Sequence, residues 1–147
     1  MQQGYFPNNK KYEEALCITL IAIDACSARE YPDKGNRENA KRYKCFLKKH
    51  FSIICEYGFP GICVTDIKIK VNVPNVALKT DKNGYVDMEQ IIYHVLRCGL
   101  VHEFNIDKTI QFTDATIIGD CNDKFYIPKD IIWGLLAAAE ESNECNL

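Results

Sequence analysis

The chain has 147 residues, 47% of them hydrophobic and 26% charged, which is the composition of an ordinary globular domain with enough length to bury a core. A net charge of −2 excludes a molecule drawn as a whole to nucleic acid or to a membrane surface. No apolar stretch approaches the roughly 18–20 residues that a membrane helix needs.

Residues 1–10 read as a flexible N-terminal tail and 11–147 as a single domain. The tail is polar and has no signal-peptide core, so a cytoplasmic protein is expected. Eight cysteines (Cys17, Cys26, Cys45, Cys55, Cys63, Cys98, Cys121 and Cys145) contain no C-x-x-C pair. In a reducing compartment they are expected to be free thiols, most of them small buried hydrophobes rather than a disulfide framework.

The spacing predicts a first helix over 11–29. Leu16, Leu20 and Ile23 mark one face, and Ala15, Ile18, Ala22 and Ala25 its neighbour. A helix apolar nearly all round belongs at the centre of a bundle. Tyr31-Pro32-Asp33-Lys34-Gly35 ends it. A second helix is expected over 37–57, with Asn36 as N-cap and a stripe of Ala40, Tyr43, Leu47, Phe51 and Ile54. Its other face is basic: seven Lys and Arg residues stand between Lys34 and Lys49 against one acid, Glu38. Lysines there are either solvated or a patch for RNA phosphates or an acidic partner. His50, near the end, is expected to be packed.

Residues 66–73 alternate, with Ile67, Ile69, Val71 and Val73 against Lys68, Lys70 and Asn72, as a half-buried strand does. A turn at Asp81–Gly84 precedes a third helix over 87–103, where Asp87 and Gln90 have capping-box spacing. Short strands follow at 109–113, 115–118 and 124–127, with a polar turn at 119–123. Pro128 then suits the first turn of a last helix, 129–142, facing the core with Ile131, Ile132, Leu135, Leu136 and Ala139. The expected class is mainly α (α+β): about four long helices with a small antiparallel β insertion before the last.

The segment Leu96-Arg97-Cys98-Gly99-Leu100-Val101-His102-Glu103 holds an Arg-x4-His pattern. An imidazole can act as a base near neutrality, and a guanidinium forks its donors onto phosphate oxygens. Five positions on a straight α-helix rotate by about 140°, so the two share a face only if the helix is relaxed, for instance at Gly99. On the residues alone, Arg97 is equally a structural ion-pair residue, with Glu56 or Glu103 as partner, and His102 a helix-end residue bonding the last carbonyls. Phosphate loops, dinucleotide fingerprints, the H-E-x-x-H metalloprotease pattern and nucleophile elbows are absent from the sequence.

With Arg97 and His102 late in an apolar helix that follows a basic helix carrying Arg42-Tyr43-Lys44-Cys45-Phe46-Leu47, the chain resembles the HEPN superfamily of small helical bundles. The resemblance covers about 11–104 and 129–142. It implies a HEPN-like bundle acting as a metal-independent RNase without cofactor, in a bacterial toxin–antitoxin or phage-defence setting. It further implies a homodimer acting on RNA, with a cognate antitoxin or other partner protein and no membrane. Arg97 would polarise the phosphate and His102 would be the general base, while Lys41, Arg42, Lys44 and Lys48 would hold the RNA backbone. The chain departs from the family pattern at Cys98, where active members usually carry a polar residue. That departure favours an alternative: a non-catalytic HEPN-like module that binds a protein or a nucleotide. A further alternative is a metal-binding regulatory domain using His94, Cys98 and His102, which stand at i, i+4 and i+8.

Overall fold

The structure, a computed structural model, describes residues 9–32, 39–61, 67–70, 79–102, 110–116, 118–121 and 124–145. Outside the described residues lie the tail 1–8, the proposed cap Asn36, Cys63, the 71–73 half of the first expected strand, and Glu103.

Helix α1 (Asn9–Glu30) carries Leu16, Leu20 and Ile23 fully buried. Its buried hydroxyls are satisfied locally. The Thr19 hydroxyl donates to the Ala15 carbonyl (2.7 Å) and the Ser27 hydroxyl to that of Asp24 (2.9 Å). The helix is not buried all round, as its apolar pattern suggested. Ile18 and Ile21 on the neighbouring face are exposed, because no element packs over that side among the described residues.

The single helix expected over 37–57 is two, α2 (Asn39–Lys49) and α3 (Phe51–Gly58). The axis bends at His50 (φ −99°, ψ 16°). The ladder continues through the bend, with His50 N–H donating to Phe46 O (3.0 Å) and Ile54 N–H to His50 O (3.1 Å). The bend turns the His50 ring inward between two carboxylates rather than out to solvent.

Strand β1 (Lys68–Lys70) pairs antiparallel with β2 (Tyr85–Asp87), setting buried Ile69 opposite buried Val86. The turn before β2 closes on Asp81, whose carboxylate accepts from the Asn83 and Tyr85 N–H groups, with Gly84 at φ +85°. A short α4 (Met88–Gln90) follows and passes directly into a π-helix (Ile91–His102). The capping box does not form. Asp87 makes no side-chain cap bond, and the Gln90 amide instead holds the Lys79 backbone, accepting from its N–H (2.9 Å) and donating to its carbonyl (3.1 Å).

The β insertion has the order β3-β5-β4, built from β3 (Ile110–Thr113), β4 (Gly119–Cys121) and β5 (Lys124–Pro128). It is mixed rather than antiparallel: β4 pairs antiparallel with β5, but β3 runs parallel to it. The Thr113 hydroxyl donates to Ala115 O (2.8 Å) and folds the chain back directly after β3. Residues 114–116 are therefore a bend rather than a strand, and 119–121, expected as a turn, become β4. Pro128 closes β5 opposite Thr113 instead of opening the last helix, α5 (Ile131–Cys145).

The fold is thus mainly helical with two small sheets. Its core centres on Tyr43, Phe46, Phe51, Phe59 and Phe112. Helices α3 and α5 approach closely at Gly58 and Gly134, where a Cβ on Gly134 would run into the Ile54 carbonyl oxygen. Among the described residues, no helix is long and apolar enough to cross a membrane. Among the described residues, Cys17, Cys26, Cys45, Cys55 and Cys98 form no disulfide.

Candidate functional site

Helix α2 buries Tyr43, Phe46 and Leu47, which turns its lysines outward at helical spacing. Lys41, Lys44 and Lys48 line one groove of about 510 Å³ together with Lys79 and His94. The Gln90 amide fixes Lys79 there, and Asp87, Glu89 and Gln90 supply the α4 side of the groove. Arg42, expected with these lysines, does not line the groove. It is half-buried and donates to the Asn39 side-chain oxygen (2.6 Å).

Burial first, and the neighbouring positive charges second, show in the titrating groups. Burial, reinforced by the Lys79 charge, holds the Lys44 ammonium below the usual lysine range. Burial, then the charges of Lys44 and Lys79, push the His94 imidazole down from its ordinary value. A neutral imidazole offers one accepting nitrogen, so the groove sets that acceptor among cationic donors.

Arg97 stands behind this groove. The Tyr93 ring has the Lys44 ammonium 5.7 Å from its centroid and the Arg97 guanidinium at 5.2 Å, and it meets the ring of buried Tyr43 edge-on at 5.2 Å. Arg97 is held within its own chain. Its Nε and Nη2 both donate to Asp24 Oδ2, at 3.0 and 2.9 Å. The two side chains are 11% and 25% exposed. Burial works against the charge on Arg97, and the bond and charge of Asp24 outweigh it, raising the guanidinium above its ordinary value. The partner shown is not Glu56, and Glu103 lies outside the described residues. Sequence reasoning missed Asp24, although it is the one charged residue in the apolar run Ala15–Ala28 and so had to find a cation.

His102 ends the π-helix, and its side chain lies outside the described residues, as does that of Gly99. The backbone still bears on the motif. A helix wound on i→i+5 bonds has more residues per turn than an α-helix, so positions five apart, the spacing of Arg97 and His102, lie nearer one face than the about 140° of a straight α-helix. Among the described residues, no three His, Cys, Asp or Glu side chains are grouped to hold a metal ion.

A second polar cluster, where the sequence suggested only a packed His50, joins three helix ends. His50 is buried, with Nε2 2.8 Å from Glu30 Oε1 and Nδ1 2.7 Å from Glu141 Oε2. The buried Ser142 hydroxyl donates to Glu30 Oε1 (2.7 Å), and Lys49 Nζ to Glu30 Oε2 (3.1 Å). Burial alone would raise the Glu30 carboxyl. The bonds from Ser142, His50 and Lys49 overcome it and hold the group below the usual carboxylate range. Ser142 is fully buried, so its hydroxyl is not presented to solvent.

The family model described as Rv1289 matches residues 7–144, and the chain belongs to the Rv1289 family. No curated protein and no solved structure matches it.

Proposed function

We propose that this member of the Rv1289 family is a cytoplasmic module that binds the phosphate backbone of single-stranded RNA in the α2 groove, without catalysis at Arg97. The observation that carries the reading is the convergence of Lys41, Lys44 and Lys48 with Lys79 and His94 in one groove of an otherwise acidic molecule. Four ammonium groups supply the sequence-independent attraction that phosphates need. The in-chain clamp of Asp24 on Arg97 supports a structural role for that guanidinium, since a phosphate would have to compete with a carboxylate already bonded to it twice.

A second reading is favoured by the π-winding: a HEPN-like, metal-independent endoribonuclease acting as a dimer in a toxin–antitoxin or defence setting. There Arg97 and His102, nearer one face than in an α-helix, would act on a phosphate delivered by the lysines.

One experiment addresses both. Fluorescence anisotropy with a single-stranded RNA, in chelator, is run over a salt series on wild type and on Lys41→Gln, Lys44→Gln and Lys48→Gln. Each lysine lost from the groove is expected to weaken binding and to flatten the slope of log K against log salt by about 0.7. Absence of RNA binding at low salt, or slopes unchanged in all three variants, refutes the groove. RNA recovered intact supports the binding module. Products ending in a 2′,3′-cyclic phosphate that disappear in His102→Ala establish the second reading instead.

A further inference from the structure

We infer that the apolar face formed by α1, α3 and α5 around Trp133 is the docking surface for a second copy of this chain. Ile18, 70% exposed, and Trp133, 63% exposed, are the two most exposed large apolar side chains among the described residues. Large apolar groups left together on a surface mark an interaction site. Trp133 stands between two grooves. One of about 650 Å³ runs along α1 past Ala15 and Ile18, and one of about 520 Å³ runs along α3 past Ile53 and Tyr57. Leu136 lines both.

Two features favour a second copy over a different partner. The first is shape. A two-fold interface must be complementary to itself, and a projecting indole flanked by apolar grooves on the same face meets that condition, each Trp133 entering a groove of the other copy. The second is charge. Helices α1 and α5 run side by side in the same direction. Lys129 Nζ lies 5.9 Å from the Tyr12 ring centroid at one end, and Arg29 bonds Asn143 at the other. The face therefore begins at Lys11 and ends at Glu140, both exposed. At the first end Lys129 is already ion-paired with Asp114 and Asp130 stands beside it; at the other Glu141 is hydrogen-bonded to His50, so Lys11 and Glu140 carry the complementarity. A two-fold axis across the face lays Lys11 of each copy against Glu140 of the other.

This surface differs from one that would bring two Arg97 residues together. Asp24, which holds Arg97, is nine positions from Ala15, or about 2.5 turns, and so lies on the opposite flank of α1.

The test uses the chain's single tryptophan as its own reporter. Sedimentation and Trp133 emission are followed through a dilution series. Wild type is expected to be a dimer with blue-shifted emission that moves to the red as it dissociates. Ile18→Glu, at an exposed site that leaves the core untouched, is expected to be a folded monomer with red emission at every concentration. Lys11→Glu and Glu140→Lys are each expected to weaken the dimer about tenfold, and the double variant to recover it. A wild type that is monomeric throughout, including one that captures only a different protein, overturns the proposal. So does an Ile18→Glu protein that still dimerises, or a double variant that fails to recover.

Discussion

Replacing Arg97 separates a structural guanidinium from a catalytic one, because the two roles predict opposite effects on stability. An exposed ion pair contributes about 0–1 kcal/mol, whereas stripping one partner from a fully buried pair costs about 3–5 kcal/mol. With Arg97 11% exposed and Asp24 25% exposed, the pair falls between these limits. Two bonds converge on one Asp24 oxygen, and the Tyr93 face adds a cation–π contact. Arg97→Met is therefore expected to lose about 2 kcal/mol, much of it the cost of a half-buried Asp24 carboxylate left without its cation. In a chain of this size that loss lowers the melting temperature by roughly 6 °C. Asp24→Asn should lose a similar amount. The double variant should lose much less than the sum, giving a coupling of about 1.5 kcal/mol in a urea-denaturation cycle. Arg97→Lys should recover only part, since an ammonium lacks the planar fork. A coupling below about 0.5 kcal/mol, with Arg97→Met as stable as wild type, would refute the reasoning and return Arg97 to the second functional reading.

The His50 cluster predicts a pH dependence whose sign follows from Glu30. Its folded-state carboxyl is held below the ordinary 4.5, so its contribution is present above that value and is lost as pH falls from there through the lower folded pKa. Urea midpoints between pH 7 and pH 3 should decline on that limb in wild type and flatten in Glu30→Gln; identical limbs would show that Glu30 contributes nothing. Gly134→Ala should destabilise by about 2–3 kcal/mol, because the new methyl meets the Ile54 carbonyl oxygen and the Gly58 backbone, which have no rotamer to turn away. Gly58→Ala meets only ordinary contacts, so thermal melts should show a far smaller loss, and equal melting of the two variants would contradict the close α3–α5 crossing.

What was legible in the sequence was whatever periodicity alone determines. Leu16, Leu20 and Ile23 repeat at helical spacing and are buried where that spacing put them. Lys41, Lys44 and Lys48 follow as the outward complement of Tyr43, Phe46 and Leu47, so half of the groove was visible in α2. The other half was not. Lys79 reaches it because Gln90 leaves the expected capping box to bond its backbone, a long-range choice that no local pattern encodes. The break at His50 was hidden for the same reason, since the apolar stripe runs unbroken while the acids that claim the ring sit 20 and 91 positions away. Ile18 and Ile21 show the limit of composition. An apolar face says that water is unfavourable there, not which neighbour excludes it.

Helix α1 sets how these surfaces relate. One flank feeds the core through Leu16, Leu20 and Ile23. A second meets the π-helix at Asp24, where the ion pair and the Tyr93 ring connect it to Lys44 and the groove. A third carries Ala15 and Ile18 into the apolar face with Trp133. The residues lining the groove and those lining the apolar face have no member in common. A pair of chains docked through Trp133 would therefore leave both basic grooves lined as in the single chain. Two grooves in one such assembly would turn a second phosphate contact into an intramolecular step, so an RNA strand long enough to reach both would bind more tightly than to either groove alone. A molecule of net charge −2 would in this way hold a polyanion without a strongly basic surface overall. The attraction would be local to four lysines, and the gain would come from linking two such sites rather than from adding charge to each.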